Sequence, residues 1–278
     1  MNKMSKKSDL LEQNIADLVC NYNTIPSTIP SWMKELGIVA ASEIISSRRI
    51  GAENKNNKTD VLITLKNSVN IKISAKLSSA DYFGNWYGHV RFLQEFGSDT
   101  FNKLTKDATD WANWWITQTD APFVGVSICF GKRSGNTARK FLDIFSPEDI
   151  LSIVKGFESD DSDATANCMY ISSKSPTSLG ELLNNLLPIT LETIEQVVGE
   201  FMIAYRPINP ITEGTNRGKN VYTQFVPYNK LDNPIKIISP KEIETLGEFK
   251  VVEPNRLNHN HILDKLESEY NILIPRKK

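Results

Sequence analysis

The sequence predicts a mixed α/β fold: a central mixed sheet flanked by helices, continued by a second region richer in β-structure. Three observations carry this. Residues 61–65 are an apolar strand-like run and residues 69–76 alternate apolar and polar side chains with a clear period of two, on either side of Asn67-Ser68, as two strands joined by a tight turn would. Phe123 to Phe130 is an apolar run bounded by Pro122 and Gly131, with the length of a central strand covered on both faces. Segments with apolar residues three and four apart lie before, between and after these runs, and helices interleaved with strands build layered α/β architectures.

In chain order, Leu10, Leu11, Ile15, Leu18 and Val19 have helical spacing over residues 8–22. Pro26 and Pro30 punctuate a loop, and Ser31 has the character of an N-cap for a helix expected to run to about residue 46. Its apolar stripe, Trp32, Leu36 and Val39, extends by one more step to Glu43. Residues 48–58, with Gly51 and several Asn, read as a loop, and the hairpin follows. Strand alternation puts Ser74 and Lys76 on one face, opposite Ile71, Ile73 and Ala75. Residues 85–96 and 98–118 read as two helical stretches, the second carrying Trp111, Trp114 and Trp115 at core-packing spacing.

After the buried strand comes a basic loop, Lys132-Arg133-Ser134-Gly135, then an expected strand at 140–145. Ser146-Pro147-Glu148-Asp149 begins a helix with a cap, a proline in its first turn and acids beside the helix dipole. Residues 158–163 form an acidic loop, and helices are expected near 178–187 and 190–200. Short strands are expected at 201–205, 222–226, 235–238 and 248–252, and a last helix at 260–270. The expected division is 1–157 as one region and 158–278 as a second, packed as one unit.

Composition bounds the function. With 32 Lys and Arg against 33 Asp and Glu the chain is close to neutral, so any nucleic-acid surface has to be a local patch. Cys20, Cys129 and Cys168 are too scattered for a zinc motif or a disulfide framework, and Cys129 reads as a small core residue. No apolar stretch has the length of a signal peptide or a membrane span, so the expected location is the cytoplasm, with no membrane partner.

The hairpin carries the chemistry. Phosphodiester hydrolysis assisted by a metal needs oxygen ligands for a hard divalent cation and a positive group near the attacked phosphate. Asp60 at the start of one strand and Lys76 at the end of the next supply a carboxylate and an ammonium, and the Ala75 carbonyl supplies a second oxygen. An Asp and a Ser-x-Lys on paired strands also arise by chance as a solvated hairpin face.

The order of helix, loop, Asp on a strand, Lys ending the next strand, then helix and buried strand resembles the PD-(D/E)xK nuclease core. Lys58-Thr59-Asp60 stands for its PD element and Ser74-Ala75-Lys76 for its (D/E)xK element. The chain is similar in this to the small type II restriction endonucleases with a degenerate second acid. The resemblance covers residues 30–145 and a later loop, in layout and short motifs. It implies a restriction-endonuclease-like core over 1–157 and a DNA-recognition region over 158–278. It further implies magnesium held by Asp60, Ala75 and Glu43, and a catalytic set of Asp60, Ser74, Lys76 and Glu43. Ser74 departs from the pattern, because it stands where an acid would ligate metal. Glu43, or Glu95 on the helix after the hairpin, is the expected substitute.

Residues 214–224 resemble the glycine-containing basic loop with which such enzymes read base edges. Arg217, Lys219, Asn220 and Gln224 carry the side-chain chemistry that pairs with guanine or adenine. Lys132, Arg133 and Arg139 suit phosphate contacts. His89 has a general base's chemistry, although a lone His beside aromatics is more often packed. The resemblance thus implies a magnesium-dependent type II restriction endonuclease acting on double-stranded DNA, with a cognate DNA methyltransferase and a homodimer left open. The alternatives are a repair or junction nuclease of the same fold, or an inactive DNA-binding protein.

Overall fold

The computed structural model describes residues 3–51, 57–85, 87–158, 162–213 and 218–277, with the backbone alone at residues 3–5 and 85. The chain divides into two compact units, each assembled from two segments: residues 1–83 with 147–200, and residues 84–146 with 201–278. The division expected at residue 157 is therefore not where the chain separates. The basic loop and the apolar run 123–130 belong to the second unit, and the helices of residues 178–200 belong to the first.

With elements numbered in chain order, the first unit contains α1 (Lys3–Val19), α2 (Ser31–Glu35), β1 (Ile44–Arg49), β2 (Val61–Leu65), β3 (Ile71–Lys76), α4 (Pro147–Lys155), β7 (Cys168–Ile171), α5 (Leu179–Asn185), β8 (Leu186–Pro188) and α6 (Leu191–Val198). Its sheet has the order β1-β2-β3-β7-β8. β1, β2 and β3 form an antiparallel meander, β7 joins β3 in parallel, and β8 closes the edge antiparallel to β7. The fold is thus mixed α/β with a mixed sheet flanked by helices, as expected at that level.

Leu11, Ile15, Ala16 and Val19 are the buried stripe of α1, and with Leu179, Leu182 and Leu183 of α5 they cover Val61, Ile63, Ile71, Ile73, Ala75, Cys168 and Tyr170 of the sheet. Burying each Leu or Ile of this size contributes roughly 1.5–3 kcal/mol. The opposite face is also closed to solvent at Leu62, Lys72, Ser74 and Met169. Asn67, with φ of 55°, makes the left-handed turn of the β2–β3 hairpin.

The helix expected over residues 31–46 is overturned. α2 stops at Glu35 because Gly37 takes φ of 86°, a left-handed helix end, and Ile44–Arg49 is drawn into the sheet by pairing with β2. β7 was not expected: four residues, Cys168–Ile171, give too short a period to read alone.

The second unit contains α3 (His89–Trp115), β5 (Val126–Gly131), β6 (Ala138–Lys140), β9 (Met202–Pro207), β10 (Gln224–Pro227), β11 (Ile235–Lys236), α7 (Pro240–Glu244), β12 (Gly247–Lys250), α8 (His259–Tyr270) and β13 (Ile272–Leu273). The chain passes into it through β4 (Tyr82–Asn85), and a four-stranded sheet runs β4-β5-β9-β6. β5 is fully buried, as its apolar sequence predicts. The two helical stretches expected over residues 85–118 are found as the two halves of α3, which meet at Gly97, whose φ of 76° and ψ of 175° are not helical. The strand expected at 140–145 is instead β6 followed by a single 3₁₀ turn, Phe141–Asp143. Phe92, Phe101, Phe130, Phe141 and Tyr222 are buried in an aromatic core of edge-to-face and stacked rings.

Candidate active site at the open end of the hairpin

Asp60 directly precedes β2 and is already held in the sheet: its amide donates to the Ile73 carbonyl at 2.8 Å, and its carbonyl accepts from Ile50 at 2.9 Å. Its carboxylate turns toward the end of β3. Oδ2 accepts from the Ala75 amide at 2.8 Å and from Lys76 Nζ at 3.1 Å, with Ser74 Oγ at 3.5 Å. Lys76 also donates to the Ala75 carbonyl at 3.2 Å. Asp60, Ser74, Ala75 and Lys76 are thus brought together by the hairpin register.

Gly51 makes room for this arrangement. A Cβ on Gly51 would lie 2.8 Å from Asp60 Oδ1 and 3.1 Å from Asp60 Cα, closer than a real side chain tolerates.

The expected acid, Glu43, is elsewhere. It lies at the turn end of the hairpin, where its carbonyl accepts from the Lys66 amide and its carboxylate pairs with Lys66 Nζ at 2.8 Å. Asp60 and Lys66 are separated by the whole of β2, about 20 Å at the rise of an extended strand. Glu43 therefore does not join Asp60 in one metal shell, and its side chain is half exposed. Glu95 belongs to the second unit, where its carboxylate accepts from Tyr87 Oη at 3.2 Å and from Arg91 Nε at 3.3 Å.

One buried acid of the first unit was missed: Glu12 of α1. It is buried, and its carboxylate accepts from Arg49 Nε at 2.6 Å. Arg49 also reaches Asp9 at 2.5 Å, so one β1 guanidinium clamps two acids a turn apart on α1. Burial pushes the Glu12 carboxyl above its ordinary value and the nearby Asp60 carboxylate adds to this, while Arg49 and then Lys76 pull it back. A signal for Glu12 was present in the sequence. It lies three and four residues before Ile15 and Ala16 and seven before Val19, on the buried stripe of α1.

The oxygens in this part of the unit are the carboxylates of Asp60 and Glu12 and the carbonyl of Ala75. All three are hard oxygens, the type magnesium takes while keeping water and phosphate in its remaining positions. Among the described residues no group of three or more His, Cys, Asp or Glu side chains converges as a metal cage.

The expected DNA-contacting residues separate into two groups. Arg217 lies outside the described residues. Asn220 turns inward, its amide donating to the Leu257 carbonyl at 2.9 Å and its carbonyl accepting from Ser127 Oγ at 2.6 Å. The Lys219 carbonyl lies 3.3 Å from His259 Nδ1. Gln224, half-buried, pairs at Gly125, before β5, whereas Lys132 and Arg133 follow its end. The two groups therefore lie about 20 Å apart along the strand. Arg133 donates to Thr137 Oγ1 at 2.7 Å, and Arg139 is committed to Asp107 through two hydrogen bonds of 3.0 and 2.6 Å.

His89 is structural. Its Nδ1 accepts from the Asn255 amide at 3.0 Å, so Nε2 carries the proton and donates to the Val221 carbonyl at 2.7 Å. Burial lowers its pKa. Cys20, Cys129 and Cys168 are not joined in disulfides, the last two are buried, and no helix among the described residues is long and apolar enough to cross a membrane.

Comparison of the chain with protein-family models, with curated proteins and with solved structures finds no match.

Proposed function

We propose that the first unit is a magnesium-dependent nuclease site of the PD-(D/E)xK type, and that the protein is a type II restriction endonuclease cutting double-stranded DNA. The observation that supports it best is the convergence on Asp60: the Ala75 amide and the Lys76 ammonium on one carboxylate oxygen, with the buried Glu12 beside them. In the first unit, helix, meander, helix α4 and the buried parallel strand β7 follow in the order of that core, with β7 rather than the 123–130 run as the buried strand.

In this reading Asp60 and Glu12 are the charged metal ligands and the Ala75 carbonyl the third oxygen, and Glu12 takes the place expected of Glu43. Magnesium, when bound, polarises the phosphate and acidifies a water. Lys76 orients that water and offsets the charge gathering on the phosphate. Ser74 adds a hydroxyl to the same edge and no charge. The resemblance gives products with 5′-phosphate and 3′-hydroxyl ends.

The test is incubation with mixed-sequence duplex DNA in magnesium or in EDTA. Discrete fragments in magnesium alone support the reading, and an Asp60→Ala variant that still cuts would sink it. Cleavage confined to branched DNA would favour a junction nuclease. A second reading, an inactive DNA-binding protein, is favoured by one observation: Lys76 already neutralises Asp60, and Ser74 brings no second acid on the strand.

A further inference from the structure

The second unit contains a cleft of about 450 Å³ between α3 and the turn that follows β5, lined by Asp110, Trp111, Trp114, Gly135, Asn136 and Arg139. One wall is aromatic. Trp111 and Trp115 are stacked with centroids 5.4 Å apart and planes within 15°, Trp114 leans on Trp115 at 5.7 Å, and Tyr205 braces Trp111 edge-on at 5.2 Å. Trp114 is the outermost ring, 44% exposed. An exposed indole backed by the half-buried Trp115, and through it by the buried Trp111, is a fixed shelf that loses little freedom when a flat ring settles on it.

The facing wall is also fixed. Gly135 has φ of 74°, the Ala138 amide closes the turn onto the Gly135 carbonyl at 3.0 Å, and the Trp111 indole N–H holds the Asn136 carbonyl at 2.8 Å. A Cβ at Gly135 would meet nothing within 4 Å, so the mouth is open there. Arg139 is tied down by Asp107, which also accepts from Tyr205 Oη at 2.6 Å. Asp110 is exposed beside the shelf, and Lys132 and Arg133 lie on the same turn as Gly135.

We propose that this cleft holds one unpaired nucleobase of a DNA strand, stacked on Trp114, with its edge N–H groups donating to Asp110. A base within a duplex has its faces stacked and its pairing edge occupied, so only an unpaired base can use such a shelf. A carboxylate accepts and does not donate, so the cleft favours guanine, whose adjacent N1–H and N2 amino group can donate to both oxygens of Asp110, over thymine, whose single N3–H lies between two carbonyls. Lys132 and Arg133 supply the positive charge that follows a flanking phosphate, which a neutral sugar ring would not call for. The inference rests on the preceding reading in taking nucleic acid as the ligand, but it uses none of the residues of the proposed cleavage site.

The experiment is fluorescence anisotropy in EDTA with labelled single strands of about ten nucleotides, a thymine tract with or without one central guanine. The full-length protein is expected to bind the guanine strand more tightly. Trp114→Ala is expected to weaken that binding about tenfold. Trp114→Phe should restore most of it, and Asp110→Asn should erase the preference for guanine over thymine. Binding of a blunt duplex should be unchanged by Trp114→Ala.

A Trp114→Ala variant that binds the strands as the wild type does, or displacement of the strand by a neutral glucose oligomer at equal concentration, would overturn the proposal. Trp114-dependent strand binding without magnesium-dependent cleavage of duplex would uphold the cleft and remove the nuclease reading. Cleavage with Trp114-independent binding would do the reverse.

Discussion

Lys76 Nζ lies 3.1 Å from Asp60 Oδ2, and the backbone amide of Ala75, one residue earlier, donates to the same oxygen at 2.8 Å. One carboxylate oxygen therefore fixes both the end of β3 and the ammonium on it. Both partners are only partly exposed, 15% for the Asp60 side chain and 23% for that of Lys76, so the pair is neither a freely solvated surface contact nor a fully buried one.

Asp60→Asn keeps an oxygen for the Ala75 amide but removes the charge. Magnesium-dependent cleavage of duplex DNA should fall to background while the thermal midpoint changes little. Lys76→Ala should leave metal affinity intact and lower the single-turnover rate by about 10²–10³-fold, the usual effect of removing one charge-stabilising donor.

Glu12→Gln and Glu43→Gln separate two placements of the second acid. The first should abolish magnesium-dependent cleavage, and the second should leave it within about a factor of two of wild type, as a surface substitution away from the site does. Because Glu12 is raised above its ordinary pKa, the folded chain holds this proton more tightly than the unfolded one. Its contribution to stability is full below the ordinary carboxylate value and is lost as pH rises through the raised one. Cleavage, which needs the ionised form, should rise across that same window. A cleavage profile that stays flat from pH 4 to pH 7 would count against Glu12 as a ligand.

Gly51→Ala places a methyl group against Asp60 Oδ1. The carboxylate cannot hold its place without local displacement, and a cost of about 1–3 kcal/mol is expected from overpacking of this kind. Chemical denaturation should show the loss, and magnesium titration should show weakened metal binding. Gly180→Ala, at a helical glycine whose Cβ would meet nothing, is the control and should leave magnesium binding unchanged without lowering stability.

His259 is buried, with Nε2 2.9 Å from the Gly125 carbonyl and Nδ1 3.3 Å from that of Lys219. Burial lowers its pKa to about 4, against the partial support of the two carbonyls. A lowered pKa means that the unfolded chain takes up the proton first. The stability is full above the ordinary histidine value and is lost as pH falls toward the folded one, up to roughly 3 kcal/mol in all. Thermal melts from pH 7 to pH 4.5 should show this decline, and His259→Gln should flatten it.

The hairpin was legible because its second strand alternates and its turn is polar, so the register that joins Asp60 to Ser74-Ala75-Lys76 follows from local pattern. β5 was legible as a continuous apolar run bounded by Pro122 and Gly131. Residues 38–49 were misread because apolar spacing from Trp32 to Val39 fits a helix, while Gly37 ends it and pairing with β2 makes Ile44–Arg49 a strand. Pairing is a property of the partner, which the segment itself does not encode. The second acid was sought at Glu43 as an extension of a helical stripe, but Glu43 pairs with Lys66 at the turn end of the hairpin, and the carboxylate that does lie on a buried helical stripe is Glu12. The division of the chain was missed because residues 84–146 interrupt the first unit with no long or low-complexity linker at either junction, although they hold four of the five Trp.

That interruption bears on how the protein is made. Glu12, Asp60 and Lys76 are all synthesised within the first 76 residues, yet β3 gains its second neighbour only when Cys168 pairs with Ile73. On the ribosome, the strand that carries the site has an open hydrogen-bonding edge while the intervening segment is translated, a state prone to mispairing. The parallel β3–β7 ladder is a long-range contact and closes late. Translation speed and chaperone supply across residues 77–167 should therefore govern the yield of protein with an assembled site more than the stability of the finished fold does.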